Sequence, residues 1–504
     1  MERVGDERGN RSSETGPASA PEQYEPDPRR WRAFWVSLVA GFMSLLDVSI
    51  VAVALPSMQQ GLGASPSTVQ WVVSGYALTF GLALVPAGRL GDAFGRRRMF
   101  LGALAAFIVC SIAAGLAPTA LTLVIARLLQ GLAAGWLAPQ NSGLIQQLFR
   151  GAERGRAFGF FGATVGISTA VGPVVGGVII AIFGAEQGWR WIFLVNVPIG
   201  IGALILGAFL LPRTAPGRRE HIDLVGVGLL GAGVLALMLP LVLAESRGLQ
   251  RLWWLFPAGA GLIAGFAAWE RHVVRRHRQP LLDPRLVTGT PGYATGASLG
   301  TVFFVGFSGV WLVFALFFQT GLHYSPLESG LAVTPFALGS SVAAALGGRL
   351  VERFGRRFPV AGLLGVIVGL GATAVILLLV PAGAAGFAVA PALLVGGIGS
   401  GFVISPNITL TLRDVPVRMA GSAGGALQTG QRFGTAVGTA ALPALFYLVL
   451  AADGDNFRLG VATALGAALV FIVCALGIGV FELSRDGRKT SPEEVANHPQ
   501  PATG

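Results

Sequence analysis

The sequence predicts an all-α membrane protein made of two related halves, and three observations support this prediction. Of 504 residues, 53% are hydrophobic, only 12% are charged and 73 are glycine, which is too apolar for an ordinary soluble protein. Fourteen apolar runs are long enough to cross roughly 30 Å of hydrocarbon as helices of about 20 residues. Residues 88–97 recur at 348–357 with seven of ten positions identical, which indicates an internal duplication.

The predicted spans fall into groups of six, two and six along the chain. The first six lie near 33–56, 68–87, 99–117, 119–140, 157–183 and 190–211. Two more, near 224–244 and 252–270, follow a polar linker and have no partner in the repeat. The last six lie near 292–319, 328–348, 359–380, 386–411, 421–449 and 459–482.

These spans predict two six-helix bundles, at 33–211 and 292–482, joined by a linker at 212–291 that carries two extra transmembrane helices. The polar ends at 1–32 and 483–504 are predicted to be cytoplasmic tails, the first of them disordered. When loops are taken alternately, 30 of the 36 Lys and Arg residues fall on the side shared by both termini. Because basic residues are retained in the cytoplasm, both termini are predicted to be cytoplasmic.

Composition and motifs exclude several classes of function. The net charge of +11 is scattered in short clusters rather than gathered in one stripe, so no nucleic-acid partner is predicted. The sequence has no phosphate-binding G-x-x-x-x-G-K-S/T loop, and its cysteines, Cys110 and Cys474, cannot build a metal cluster. No metal or other cofactor is therefore expected, and energy would come from an ion gradient. No clustered catalytic groups recur within a span, which argues against an enzyme.

The repeated basic loop is predicted to be a cytoplasmic gate. Asp92 stands between a span end and Arg96 and Arg97, where a charge-assisted pair can hold the two halves together. A plain basic loop on the cytoplasmic side is the alternative interpretation. The predicted gate residues are Gly88, Asp92, Gly95, Arg96 and Arg97 in the first copy and Glu352 and Arg356 in the second.

Charged side chains inside the spans are candidates for chemistry. Asp47 is the only acid in span 1, and an ionised group deep in a bilayer costs several kcal/mol unless it faces protein or water, which makes Asp47 a candidate for a functional role. Burial favours its neutral form, so Asp47 can load and release a proton; a structural pair with a neighbouring helix is the alternative. In span 4, Arg127 and Gln130 are three residues apart and share a helix face. Arg127 would act as a fixed cation that tunes or alternates with the proton of an acid; a purely structural hydrogen bond to carbonyl groups is the alternative.

Span 5 is rich in glycine, and the central spans offer polar and aromatic residues. Glycines three or four apart let helices approach closely, and Pro173 supplies a bend; generic helix packing explains the glycines equally well. The motif comprises Gly162, Gly166, Gly172, Pro173, Gly176 and Gly177. Candidates to line a substrate cavity are Gln70, Tyr76, Gln130 and Trp136.

These motifs together resemble the major facilitator superfamily and, within it, the fourteen-span drug:proton antiporter family. The loop at 88–98 resembles the superfamily's loop 2–3 signature, with Ala93 in place of a basic residue. Residues 46–56 resemble the span 1 signature L-D-x-T-I-V-N-V-A-L-P, with Ser49 for Thr and Ala52 for Asn. Residues 127–135 resemble the span 4 signature apart from Ala133, and the Gly-Pro stretch of span 5 resembles the antiporter motif.

The resemblance implies an activity and a set of partners. It implies a proton-coupled antiporter that exports hydrophobic or cationic drugs or antibiotics across the cell membrane by alternating access, functioning as a monomer in the lipid bilayer. Proton coupling is expected to involve Asp47, Arg127 and Arg432, the last a second buried cation in span 13. A proton-coupled importer or metabolite transporter of the same fold is the main alternative, followed by a receptor that transports nothing.

Overall fold

A computed structural model gives the fold of most of the chain. It describes residues 27–184, 186–212, 223–243, 248–276, 280–324, 326–416, 419–453 and 456–489. Most of the predicted N-terminal tail and the last residues of the predicted C-terminal tail lie outside these ranges. Regular structure within the described residues is helical throughout. The prediction of an all-α protein is therefore confirmed.

The N-terminal half contains seven helices, two of which share one span. They are α1 (Arg30–Leu62), α2 (Pro66–Phe94), α3 (Arg96–Gly115), α4 (Ala120–Leu148), α5 (Gly151–Phe183), α6 (Gly188–Leu194) and α7 (Asn196–Leu210). The inserted region contains α8 (Leu224–Val242), α9 (Gly248–Leu252), α10 (Leu255–Arg275) and α11 (Arg285–Gly289). The predicted sixth span is thus divided at Val195, so that Asn196 begins a helix rather than lying inside one.

The C-terminal half repeats this plan with more interruptions. Its helices are α12 (Tyr293–Ser308), α13 (Val310–Leu316), α14 (Pro326–Phe354), α15 (Arg357–Leu379), α16 (Ala385–Ala388), α17 (Ala390–Leu412), α18 (Ala420–Ala452) and α19 (Phe457–Lys489). A π-helical turn, Phe317–Gly321, ends the first span of this half, and a 3₁₀ turn, Ala382–Ala384, precedes α16. The last helix extends to Lys489, beyond the predicted bundle boundary at 482.

Twelve helical segments of the described chain are long and apolar enough to cross a membrane. The two predicted spans outside this set lie in α5 and α10. Helix α5 has 33 residues and contains the apolar stretch Val174–Phe183, whereas α10 carries charged residues toward its C-terminal end. The fourteen-span count stays a prediction.

Local sequence explains where several helices begin and end. Ser65 precedes Pro66, and its hydroxyl accepts a hydrogen bond of 3.3 Å from the Thr68 amide, which satisfies one free donor at the start of α2. Thr119 caps α4 in the same way through Thr122. Gly95 separates α2 from α3 with φ +95°, a conformation that side-chain-bearing residues avoid. The gate loop is therefore a sharp corner between two helices.

Each half has an apolar core, and the halves meet mainly along two helix pairs. Phe34, Phe100 and Phe107 belong to the N-terminal core, whereas Phe303 and Phe314 belong to the C-terminal one. Helix α2 packs against α18, and α5 packs against α14. The inserted helix α8 packs on α2 and α18, and so covers one of these two junctions from outside.

The contact between α5 and α14 depends on glycine. A Cβ at Gly155 would lie 2.5 Å from the Gly348 carbonyl oxygen, and one at Gly159 would lie 3.0 Å from the Gly348 Cα. This contact lies at the end of the bundle where both termini are found, because Arg30 at the start of α1 pairs with Glu153 at the start of α5 at 2.9 Å. The two halves are therefore closed against each other on the side of the termini.

Candidate functional site: a buried ion pair and a gate between the halves

A buried ion pair joins the two charged residues that the sequence places on separate spans. Asp47 lies in the middle of α1 and is fully buried. Its Oδ2 is 2.5 Å from Nη1 of Arg127 on α4. Gln130, one turn further along α4, donates to Asp47 Oδ1 at 3.3 Å and accepts from Arg127 Nη1 at 2.7 Å. The spacing of Arg127 and Gln130 on one helix face thus lets both reach the same carboxylate.

Two further polar residues complete this site. Asn196, the first residue of α7, donates to Asp47 Oδ1 at 2.9 Å and to Ser111 Oγ of α3 at 3.2 Å. Ser111 also accepts from Gln130 Nε2 at 2.8 Å. Sequence analysis assigned no role to either residue. The available signal for Asn196 was its amide side chain inside a predicted apolar span, two residues before Pro198.

Aromatic rings enclose the guanidinium group of Arg127. Its Cζ lies 4.1 Å from the ring centroid of Tyr76 and 5.5 Å from that of Phe193. Its Nε donates to the Val72 carbonyl at 3.1 Å. Arg127 is therefore held on α2 as well as on α1, and Tyr76, predicted to line a cavity, instead forms a wall of the ion-pair site.

This arrangement couples the charge of Asp47 to the packing of three helices. The ionised carboxylate accepts hydrogen bonds from Arg127, Gln130 and Asn196, so each donor stabilises the charged form. Protonation would leave a buried arginine without its anion, a situation that costs about 3–5 kcal/mol in proteins. A proton on Asp47 therefore requires a rearrangement around Arg127, which is what a proton-driven conformational change needs.

Asp92 links the N-terminal half to the start of a helix in the other half. Its Oδ1 accepts from the Gly421 amide at 3.1 Å, and its Oδ2 accepts from the Ser422 amide at 3.0 Å. Both amides belong to the first turn of α18, where backbone donors are free and the helix dipole favours an anion. Arg96 holds the carboxylate at 2.9 Å and donates to the Gly143 carbonyl at 2.6 Å. Asp92 thus caps a helix of the opposite half.

Glycine and the second arginine shape the rest of the first gate loop. A Cβ on Gly88 would overlap the backbone of Gly421, so only glycine allows α2 to lie this close to α18. Arg97, in contrast, donates to the Ala208 carbonyl of α7 at 2.5 Å and stays within its own half. The first loop copy therefore contributes Gly88 and Asp92 to the junction of α2 and α18, with Arg96 as support.

The second copy of the loop has different contacts. Glu352 is exposed at the end of α14, and a Cβ on Gly151 would lie 3.7 Å from its Oε1. Arg356 pairs with Glu482 of α19 at 2.8 Å, within the C-terminal half. The two copies are alike in sequence, but Asp92 alone makes the buried hydrogen bonds described above between the halves.

The glycines of the span 5 motif face two different neighbours. A Cβ on Gly162 would lie 2.9 Å from Ser405 Cβ of α17, and one on Gly166 would lie 2.8 Å from Ser341 Oγ of α14. Gly172 instead meets Ser49 of α1, where a Cβ would overlap the hydroxyl. A Cβ on Gly177 would meet open space. The motif therefore serves both the seam between the halves and the packing of α5 on α1, two residues from Asp47.

Four other predicted site residues are Gln70, Pro173, Trp136 and Arg432. The side chains of Gln70 and Pro173 lie outside the described part of the structure. Trp136 is 38% exposed and lies apart from the ion pair. Arg432, half-buried in α18, lies with its Cζ 4.3 Å from the ring centroid of Phe80 on α2.

Several known proteins are similar to this chain in sequence. A probable actinorhodin transporter of Streptomyces coelicolor is 38% identical over 445 residues, which cover 86% of this chain and 75% of the relative. The cephamycin export protein CmcT of Amycolatopsis lactamdurans is 35% identical over 416 residues, covering 81% and 84%. The tetracenomycin C resistance and export protein of Streptomyces glaucescens is 33% identical over 437 residues, covering 83% and 76%.

Solved structures share the fold at low sequence identity. The proton:xylose symporter XylE superposes with a TM-score of 0.65 at 15% identity, over 90% of this chain and 95% of the symporter. The human organic anion transporter MFSD10 gives 0.64 at 14% identity, over 90% and 100%. The family model of the Major Facilitator Superfamily matches residues 37–439. The chain therefore belongs to the Major Facilitator Superfamily, as its sequence motifs predicted, and is a multi-pass membrane transporter of small molecules rather than an enzyme.

Proposed function

We propose that the protein is a proton-coupled exporter of antibiotic-like small molecules in the cell membrane, working as a monomer with both termini in the cytoplasm. The relatives named for export or resistance support the direction of transport and the class of cargo. No observation of this chain favours an importer. The observation that carries the coupling is the buried cluster of Asp47, Arg127, Gln130 and Asn196.

Alternating access would use the two seams between the halves. With the termini in the cytoplasm, the contacts of Asp92 with α18 and of Gly155 with Gly348 close the cytoplasmic side. The present conformation would then be open or occluded toward the outside. Cargo entering from the cytoplasm would require both contacts to separate, and their re-formation would return the carrier to the outward state.

Protonation of Asp47 would supply the switch between these states. A proton arriving from outside neutralises the carboxylate and removes the ion pair that joins α1 to α4. The Arg127 guanidinium would keep its hydrogen bonds to the Val72 carbonyl of α2 and to Gln130 of α4. Gly172 places α5 directly against α1 at Ser49, so a shift of α1 would be transmitted to the helix that forms the α5–α14 seam.

The direct test is efflux from cells that express the chain, measured for a panel of antibiotics with and without an uncoupler. We expect uncoupling to stop efflux, and Asp47→Asn to abolish gradient-driven efflux while the protein still folds and inserts. Asp453→Asn is a matched control, because Asp453 is exposed at the end of α18, away from the cluster. Wild-type efflux rates in Asp47→Asn would overturn the proton-coupling role, and export that resists the uncoupler would overturn coupling altogether.

A further inference from the structure

Arg432 carries a positive charge at mid-depth in the helix bundle, and no acid in the described part of the chain neutralises it. It is the thirteenth of the 33 residues of α18, the helix that packs on α2 across the junction of the halves. Within the described residues its guanidinium forms no ion pair and no hydrogen bond with another side chain or carbonyl. Its described contact is the face of Phe80, 4.3 Å away.

The described basic side chains in the centre of the bundle outnumber the acidic ones by one, and Arg432 is the one without an acidic partner. Among the described residues, Asp47 is the one acid well inside a span, and Arg127 already occupies it. The other described acids lie near helix ends or in loops, as do Asp92 and Glu482. The centre of the bundle therefore holds two arginines and one carboxylate, and so has a net charge of one positive unit.

The aromatic contact does not compensate for this charge. A cation–π contact stabilises a guanidinium by about 0.5–2 kcal/mol, whereas removing an unpaired ion from water costs several kcal/mol even after relaxation. A side chain kept in this state within a membrane protein marks a pathway or a binding site. Because Arg432 is half-buried rather than sealed, an anion entering between the halves can reach it.

The neighbouring rings indicate what kind of anion fits. Phe80 lies 6.1 Å from Tyr76 at a tilt of 31°, and Tyr76 in turn contacts Arg127. Two neighbouring aromatic rings thus contact the two arginines, Phe80 at Arg432 and Tyr76 at Arg127. A guanidinium binds a carboxylate with two parallel hydrogen bonds, and an adjacent ring face favours an aromatic body.

We propose that Arg432 is a cargo-binding residue that recognises the acidic group of an aromatic compound. This inference rests on the proposed export function and narrows it, since the general expectation of hydrophobic or cationic cargo does not use a fixed cation. It also differs from the proton-coupling role predicted for Arg432, because no described acid pairs with it. Binding of the anion would neutralise the centre of the bundle and join α18 to α2 through the ligand.

Equilibrium binding to the purified full-length protein in lipid nanodiscs tests this role without any proton gradient. The probes are 3-hydroxy-2-naphthoate, a fluorescent aromatic acid, and its methyl ester, which has the same rings and no carboxylate. Wild-type protein is expected to bind the acid more tightly than the ester. Arg432→Gln should weaken binding of the acid about ten- to a hundredfold and leave the ester unchanged. Arg432→Lys keeps the positive charge but cannot donate two parallel hydrogen bonds. Its affinity for the acid should lie between those of wild type and Arg432→Gln.

The matched control is Arg458→Gln, which replaces a half-buried arginine in the first turn of α19 that donates to the Leu378 carbonyl; this variant should bind both probes as wild type does. Equal affinity of wild-type protein for acid and ester, no binding of the acid, or an equal loss of both probes in Arg432→Gln would overturn the assignment. Failure of the export proposal would look different. Cells that express the chain would then show no efflux of any compound in the panel, while the preference for the acid in nanodiscs would persist.

Discussion

Asn196 donates a hydrogen bond of 2.9 Å to the carboxylate of Asp47, across 149 positions of sequence. It binds the same oxygen, Oδ1, that accepts from Gln130, while Oδ2 faces Arg127. Asn196 therefore stabilises the ionised carboxylate without touching the arginine. It is a positioning residue for the proposed proton site, and this geometry makes its contribution separable from that of the ion pair.

Replacement of Asn196 by Ala should weaken gradient-driven efflux. The carboxylate of Asp47 loses one of its hydrogen-bond donors while Arg127 and Gln130 remain, so we expect a partial loss, smaller than that caused by Asp47→Asn. The measurement is efflux driven by a pH gradient, compared with exchange of cargo in the absence of a gradient. Asn141→Ala removes a buried amide of α4 that does not contact Asp47 and should leave both rates near those of wild type. An equal loss of both activities in Asn196→Ala would show a merely structural role.

Removal of the charge of Asp92 should open the seam on the side of the termini. Asp92→Asn weakens two hydrogen bonds to the first turn of α18, so the closed arrangement loses its cap. Ser142, which is buried and receives a 3.3 Å hydrogen bond from Gln428 of α18, reports on that opening when it is changed to Cys. We expect faster thiol labelling and slower transport cycling, with cargo affinity preserved.

The labelling experiment needs a background without the two natural cysteines, Cys110 and Cys474, each replaced by Ala. Glu352→Gln, in the same position of the second loop copy, is the matched control. Because Glu352 is exposed, its replacement should accelerate labelling much less than Asp92→Asn does. Equal acceleration by both would contradict the asymmetry between the copies, and loss of cargo binding in Asp92→Asn would contradict a gating role.

A methyl group at Gly348 should also bias the carrier toward the open seam. Its Cβ would overlap the backbone of Gly155 and Gly159, which forces α14 away from α5. Gly330→Ala on the same helix meets open space and should instead raise stability by about 0.5–1 kcal/mol, the usual gain for Ala over Gly in a helix. Thiol labelling at Ser142→Cys and thermal unfolding distinguish the two. An unchanged labelling rate in Gly348→Ala would show that this contact does not limit opening.

Sequence reasoning found the residues whose chemistry is unusual for their surroundings. Asp47 and Arg127 were conspicuous because each is a charge in an apolar span, and the structure pairs them. It did not find Ser111, because a serine inside a span is common and its role depends on where α3 meets α4 and α7. The neighbour of Arg432 was equally hidden, since the approach of α18 to Phe80 is set by packing between the halves.

The repeat predicted symmetry where the structure shows a difference. Seven identical residues led both loop copies to be assigned to one gate. The distinction arises from partners outside the repeat: Asp92 faces free backbone amides of α18, whereas Arg356 finds Glu482 at the end of α19. The repeated sequence determines which side chains each loop carries, whereas tertiary packing determines which groups those side chains bind.

The ion pair between Arg30 and Glu153 should make the attachment of α1 to α5 pH-dependent. The hydrogen bond from Arg30 holds the pKa of Glu153 below its ordinary value, and its charge acts in the same direction. Because the folded-state pKa is depressed, the stabilisation is present above the ordinary pKa of a glutamate and is lost as pH falls through the depressed value. The pair is partly exposed, so its contribution should stay below about 1 kcal/mol.

Glu153→Gln should therefore lower the unfolding temperature slightly at pH 7, and the difference from wild type should vanish in acid. Glu352→Gln, another exposed glutamate near the start of α5, provides the control, and a difference for Glu153→Gln that persists at low pH would show that the charge of Glu153 is not its source.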